Sequence, residues 1–345
     1  MKSLKEYSLN ISEQAYHLYN AWSYSIISKY AKDGFAAMAT LHEKTEPTPS
    51  MEFGSLFDSM ITKGKQTLDD YRVLDYTVPA AEKKVLDTLA QRAEDNAFAL
   101  VPEDLIAQVT EECQYYPKWG ISARLKHLAE YSDYYSAVKT GKKIVSKTDW
   151  DDAVEMFKVF RTNSYLKDLF GTNNTDEIEY LYQTQFVTEY HTLSGRVVLL
   201  KIMPDLLRID HKSKTVQPVD LKTSSMPAWD FKENFLKFRY DIQAHLYTDV
   251  LRFVMDNTDD YHDYVILPYL FTDISRTDKV PVTYEYNPAD FPEGFKFTKN
   301  GREYQYKTWQ TLLEEILDNE EKQRVVPEYI SLDRPNDLCS IISNH

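Results

Sequence analysis

Between Met203 and Thr223 the chain reads MPDLLRIDHKSKTVQPVDLKT, two extended runs on either side of the polar turn His211-Lys212-Ser213-Lys214. Leu206 to Ile209, like Val197 to Ile202 before it, is mostly apolar and partly β-branched, and Val216 and Val219 resume the extended pattern after the turn. Such a stretch specifies a hairpin. Side chains two apart on a strand project from one face, which puts Asp220 and Lys222 together. Antiparallel pairing brings Asp205 to the matching level of the first strand, so two carboxylates and one ammonium converge on one spot.

A hard divalent cation takes oxygen ligands, and carboxylates from adjacent strands supply them without histidine or cysteine. A lysine beside the ion can orient a water and meet negative charge developing on phosphorus. That constellation suits phosphodiester hydrolysis. Taken alone, however, an Asp-x-Lys such as Asp220-x-Lys222 is far more often a surface ion pair on a solvated hairpin, so the neighbouring sequence has to decide.

The chain has 345 residues, 43% of them apolar, enough for one large domain or one domain with a sizeable helical insertion. Its formal net charge of -14 excludes a protein that coats nucleic acid by bulk electrostatics, although an acidic enzyme can hold DNA in a locally basic cleft. Cys113 and Cys339 lie far apart, with no metal-ligand spacing, and point to a reducing compartment. The opening MKSLKEYSLNISEQ lacks the apolar stretch of a signal peptide, and no run approaches a spanning helix. The expectation is a protein of the cytoplasm without a membrane partner.

Pro204-Asp205, fourteen intervening residues, then Asp220-Leu221-Lys222-Thr223-Ser224 resembles the active-site signature of the PD-(D/E)XK nuclease superfamily. Gln243-Ala244-His245-Leu246-Tyr247 resembles the Q-x-x-x-Y motif of its RecB/RecE-like branch, which includes phage exonucleases, and Phe238-Arg239-Tyr240-Asp241-Ile242-Gln243 is closest to the phage members. The resemblance implies an α/β fold with a restriction-endonuclease-like core, a central mixed β-sheet flanked by helices, and a helical insertion. It implies a Mg²⁺- or Mn²⁺-dependent deoxyribonuclease that leaves 5'-phosphates. Asp205 and Asp220 would hold the metal, with the Leu221 carbonyl as a further ligand, and Lys222 would orient the attacking water. Gln243 and Tyr247, four apart on one helix face, would face the site, and Thr223, Lys237 and Arg239 would lie near DNA phosphates. Ring homo-oligomers and a single-strand annealing partner are common in that branch. In the host of a phage, the cytoplasm would be its location.

Further matches are local. Tyr24-Ser25 resembles a short opening motif beside the DNA in phage exonucleases, while Ser25 also suits a helix cap. Phe53 to Ile61 resembles the G-x-x-x-H helix of the family with Gly54 kept and Asp58 where the family has histidine, which makes Asp58 a candidate fourth oxygen ligand. Gln185 stands where many relatives have a glutamate; its amide ligates only through a neutral carbonyl and is no strong base. That departure favours, as a rival, a nuclease-fold DNA-binding protein of weak or lost catalysis. A phage scaffold or inhibitor protein, suggested by the acidic charge, is the third reading.

Along the chain, helical spacing is expected over Ile11 to Tyr30, Met51 to Ile61, Ala81 to Ala93, Pro102 to Cys113, Ser122 to Val138 and Trp150 to Leu169. Extended segments from Ile178 turn at Ser194-Gly195 and return over Arg196 to Ile202. After the hairpin come a linker over Trp229 to Lys237, a helix opening within Phe235 to Asp241, strands at Tyr264 to Tyr269 and Lys279 to Tyr286, a loop from Asn287 to Asn300, and a helix over Tyr304 to Leu317. The expected divisions are 1–66 (N-terminal helices at the site), 67–175 (helical layer or insertion), 176–325 (nuclease core) and 326–345 (tail). Basic residues such as Lys118 and Lys142, interleaved with Tyr115, Trp119 and Tyr135, either line a DNA path or are a solvated face over core aromatics.

Overall fold

The computed structural model describes residues 2–43 and 47–325; the expected tail and residues 44–46 of the expected linker lie outside them. It divides into two compact units, residues 1–48 with 160–345, and residues 49–159.

The first unit is built on strands β1 (Ile178–Tyr182), β2 (Phe186–His191), β3 (Val197–Ile202), β4 (Leu206–Asp210), β5 (Thr215–Ser224), β6 (Val265–Ile266), β7 (Tyr269–Ser275) and β8 (Pro281–Tyr286). Among the described residues, its main sheet runs β8-β7-β5-β4-β1, with the short β6 also against β5. The sheet is mixed: β1 and β5 each pair antiparallel with β4 between them, β5 and β7 are parallel, and β7 and β8 are antiparallel. Parallel pairing needs a crossover, which helices α2 (Phe231–Phe238) and α3 (Tyr240–Asp256) supply between β5 and β7. Two further helices, α1 (Tyr24–Asp33) and α4 (Trp309–Val325), belong to the same unit.

Apolar side chains of the sheet and of α3 form one core. Ile209, Val216 and Phe271 from the strands are buried with Ile242, Leu246, Val250 and Leu251 from the helix. Ile242, Leu246 and Val250 recur every four residues with Leu251 beside them, the stripe an amphipathic helix turns inward. The hairpin of β2 and β3 packs on the same helix and is closed by Ser194-Gly195 as expected, with Gly195 at φ 83°. Strand β7 is buried throughout, the signature of a central strand covered on both faces.

The second unit is helical, with Pro49–Lys63, Ala80–Arg92, Glu103–Glu112, Ile121–Ala129 and Ser132–Lys139 in order, and Lys147–Thr162 running out of it. Tyr71–Leu74 and Lys143–Ser146 add a parallel strand pair that helical spacing did not reveal. Arg124, Tyr115, Tyr134 and Tyr135 are interior here, and Arg124 donates to Thr110 Oγ1 (3.1 Å) and the Pro117 carbonyl (3.3 Å). These members of the expected basic and aromatic patch are packing.

Several expected elements are corrected. Ile11 to Tyr30 is two helices, Glu13–Leu18 and α1, because Trp22 bonds as a bridge to β3 and forces the chain between them to extend. Ser122 to Val138 breaks at Glu130, and Trp150 to Leu169 breaks at Asn163, which caps the second helix by accepting from the Leu166 N–H. Trp229 to Lys237 is helical rather than a linker. The expected loop 287–300 contains the strand Lys296–Lys299, paired with Arg302–Gln305, so the last helix starts at Trp309 rather than Tyr304. No helix among the described residues is long and apolar enough to cross a membrane.

Candidate active site

Strand β5 presents Asp220 and Lys222 on one face, and the antiparallel register sets Val219 opposite Leu206. Asp205, just before β4, therefore lies level with the Asp220-Leu221 peptide, and its Oδ2 accepts the Leu221 N–H at 2.7 Å. A side chain here extends the backbone ladder by one rung and fixes the first carboxylate to the second strand.

Helix α3 brings the third component. Gln243, 4% exposed, donates through Nε2 to Asp220 Oδ1, and its Oε1 accepts from Lys222 Nζ at 3.2 Å. The ammonium in turn lies 2.6 Å from Asp220 Oδ2. The three side chains close a ring in which the amide can take only one orientation, since nitrogen must face the carboxylate and oxygen the ammonium. Lys222 Nζ approaches Asp220 Oδ2 out of line for a hydrogen bond, so that buried oxygen has an ion-pair neighbour but no aligned donor.

The ammonium stands 4.4 Å over the Tyr240 ring. Burial works to lower the Lys222 pKa, but Asp220 foremost, then Tyr240, Tyr24 and Asp205, overcome it and hold the lysine well above its ordinary value. It is a fixed cation. Of its three N–H groups one serves Gln243 and one faces Asp220, which leaves the third for another oxygen.

Tyrosines enclose this ring of charges. Tyr247, one turn beyond Gln243, is 8% exposed and meets Tyr269 edge-on at 6.2 Å. Burial, then neighbouring groups that include Asp220 and Asp205, pushes both hydroxyls well above the ordinary tyrosine value. Tyr269 Oη is buried with no hydrogen-bond partner. Tyr24, from α1, donates to the Phe238 carbonyl at 2.6 Å, and its ring lies 6.4 Å from that of Tyr240. Tyr24, Tyr240 and Tyr269 come from three separate elements; Tyr24, Tyr240 and Tyr247 fall within family-like motifs, whereas nothing in the sequence marks Tyr269.

The remaining expected residues fall into three groups. Gln185, 8% exposed, immediately precedes β2, whose first residue Phe186 pairs with Ile202; its Oε1 is a buried acceptor without a donor. Thr223 is half-buried farther along β5, where its neighbour Ser224 makes the hydrogen bonds, to Asp273 Oδ2 (3.1 Å) and the Met226 carbonyl (2.8 Å). Ser25 is exposed with Oγ 2.9 Å from Ser23 Oγ; Ser23, not Ser25, holds the N-cap position of α1. Asp58 stands in the helical unit on Pro49–Lys63, where its carbonyl accepts from Thr62 Oγ1 at 2.9 Å.

Arg239 corrects its expected role at phosphate. It adopts the left-handed conformation between α2 and α3 (φ 56°), and its guanidinium is buried in a two-point ion pair with Asp241, both contacts at 2.9 Å. A third contact reaches the Lys307 carbonyl at 3.0 Å, and the plane lies 3.8 Å from the Tyr306 ring centroid. Lys237 is exposed at the end of α2 with Nζ 5.1 Å over Phe238.

Among the described residues no group of three or more His, Cys, Asp or Glu side chains is arranged to hold a metal ion. Two carboxylates, Asp205 and Asp220, are joined through the Leu221 peptide, and Asp220 Oδ2 is a buried acceptor lacking a hydrogen-bond donor. Magnesium is held by one or two carboxylates with waters completing its octahedron, so this donor set fits it. No family model and no curated protein matches the chain.

Proposed function

We propose that this chain is a metal-dependent DNA nuclease on a PD-(D/E)XK-like core. The observation that carries the reading is the closed Asp220–Lys222–Gln243 ring with Asp205 tied to the Leu221 N–H, which joins the two sequence motifs, from a hairpin and from a helix, in one polar site. An antiparallel hairpin followed by a helical crossover to a parallel strand supports the same core.

Asp205, Asp220 and the Leu221 carbonyl would hold Mg²⁺ or Mn²⁺, which when bound supplies Lewis acidity for a phosphoryl oxygen and a lowered water pKa. Lys222, a permanent ammonium, does not take up a proton. Its third N–H donates to the water or to a non-bridging phosphate oxygen, and so orients attack and meets charge in the transition state. Gln243 fixes the ammonium, and the tyrosine ring of Tyr240 supports it from below. Water adds to phosphorus, the bond to the 3'-oxygen breaks, and a 5'-phosphate and a 3'-hydroxyl remain. Tyr247 closes the site on the helix side.

Gln185 sustains one second reading, a DNA-binding protein of weak catalysis, because a neutral amide replaces a carboxylate donor. Asp205→Asn and Asp220→Asn separate the two. In a nuclease each removes cleavage of DNA and weakens Mn²⁺ binding measured by calorimetry; unchanged Mn²⁺ binding in both would remove the site from consideration.

A further inference from the structure

The hairpin Lys296–Lys299/Arg302–Gln305 is exposed along both strands apart from the half-buried Phe297, in contrast to the buried sheet of the same unit. Its two-residue loop, Asn300-Gly301, has both residues at positive φ (52° and 75°), the geometry that matches strand twist. Its base is fixed by Gly294, at φ 102°, where an added Cβ would lie 1.9 Å from the Tyr306 carbonyl oxygen. The element is thus a built arm.

The register gives it a function-bearing face. Phe297 is opposite Tyr304, and Lys299 is opposite Arg302; alternation along each strand places all four on one side. Like charges directly opposite one another destabilise a strand pair, and among the described residues neither cation has a carboxylate at ion-pair distance. From residue 296 to residue 307 the chain carries four cations and one carboxylate, Glu303, within a protein of net charge -14.

The aromatic rings form a ladder leading inward. Tyr304 stacks on Phe297 (5.3 Å, 17°), Phe297 meets Tyr306 at 4.8 Å, and Tyr306 covers the Arg239 guanidinium. At the foot of the ladder is a cleft of about 500 Å³ lined by Lys32, Lys237, Arg239, Tyr306 and Lys307, with Glu315 paired to Lys307. Arg239 adjoins Tyr240, whose ring lies under Lys222.

We propose that the arm and the cleft at its base form a track for a single DNA strand, with Lys299 and Arg302 on phosphates and a base stacked on Tyr304. The inference rests on the nuclease reading for its ligand and deepens it. Tyr304 is 44% exposed and presents a ring to solvent, and only unpaired bases offer their faces to such a ring. Lys32 and Lys237 line the same cleft, together with Arg239, the chain neighbour of the Tyr240 that lies under Lys222.

The test is fluorescence anisotropy of a labelled oligothymidylate with the full chain, in chelator so that no cleavage intervenes. Lys299→Glu with Arg302→Glu is expected to weaken binding at least about tenfold and to flatten the salt dependence by roughly 1.4 in log–log slope, about 0.7 for each phosphate no longer neutralised. Tyr304→Ala is expected to weaken it by roughly 5- to 150-fold, the range for one stacked base. Lys212→Glu, on the β4–β5 turn, controls for a general charge effect and should bind as wild type does. Binding is read in chelator and cleavage separately in Mn²⁺, so an arm that binds the strand while wild type cuts no DNA overturns the nuclease reading and leaves the track standing. Arm variants with wild-type circular dichroism that bind with unchanged affinity and salt slope would overturn the track, as would a wild-type protein that binds duplex but not the single strand.

Discussion

Replacing Asp273 by asparagine probes the electrostatics of the sheet directly beside the site. Asp273 stands on β7 in register with Lys222 and is 1% exposed. Burial foremost raises its pKa from 3.8 to about 7, with Asp278 adding to the rise and Ser224 and Lys222 opposing it. One carboxylate oxygen, Oδ1, has no hydrogen-bond partner. The folded chain holds this proton more tightly than the unfolded chain. Its contribution to stability is complete below the unfolded value of 3.8 and is lost as pH rises through about 7. At about 1.36 kcal/mol for each pH unit the loss is on the order of 4 kcal/mol. Asparagine mimics the protonated acid and still accepts from Ser224. Thermal unfolding followed by circular dichroism across the acidic to mildly alkaline range should show the two proteins converging near pH ~4 and the variant ahead on the order of 5–10 °C near pH ~8. Parallel curves for the two proteins would refute the assignment of that charge.

Three further perturbations follow from the geometry. Arg239→Ala leaves Asp241 buried without its ion-pair partner and should destabilise the chain by about 3–5 kcal/mol in urea unfolding, while a joint Arg239→Met, Asp241→Leu change recovers most of the loss. Gly294→Ala combines a left-handed backbone with a Cβ against the Tyr306 carbonyl, and should loosen the arm; hydrogen exchange at residues 296–305 is expected to rise there and not in β7. Gln243→Ala opens the ring around Lys222 and should lower cleavage at least about tenfold with oligonucleotide binding in chelator retained, since its loss affects orientation rather than affinity.

The central hairpin was legible because its signals agree: β-branched apolar runs, a polar turn, and a motif whose spacing the antiparallel register reproduces, with Val219 against Leu206. Gln243 was legible by motif, but its simultaneous contact with Asp220 and Lys222 is a tertiary fact. Elsewhere tertiary bonding overrode local preference. Trp22 reads as helical, yet its N–H donates to the Leu199 carbonyl and its carbonyl accepts the Lys201 N–H, which breaks the helix. Lys201 then secures the break, donating to the Tyr16 and Tyr19 carbonyls at 2.9 and 2.8 Å. The arm was missed for the opposite reason: its strands, KFTK and REYQ, bury almost nothing, so no apolar alternation marks them, and only Asn300-Gly301 betrays the turn. Arg239 was expected at DNA phosphates, and its pairing with Asp241 could not be read from the sequence, since residues two apart in a regular helix point apart; the left-handed turn at Arg239 brings them together.

The most direct test compares wild type with Lys222→Ala on a linear duplex and on the same DNA closed into a circle, with Mn²⁺ or Mg²⁺ and with chelator. A nuclease of this kind cuts in metal and not in chelator, and loses cutting with the lysine; selective loss of the linear DNA adds that it starts at ends. Intact DNA in every lane, where anisotropy confirms that DNA is bound, or cleavage that the Lys222→Ala protein retains in full, would contradict an active site built on Asp205, Asp220 and Lys222.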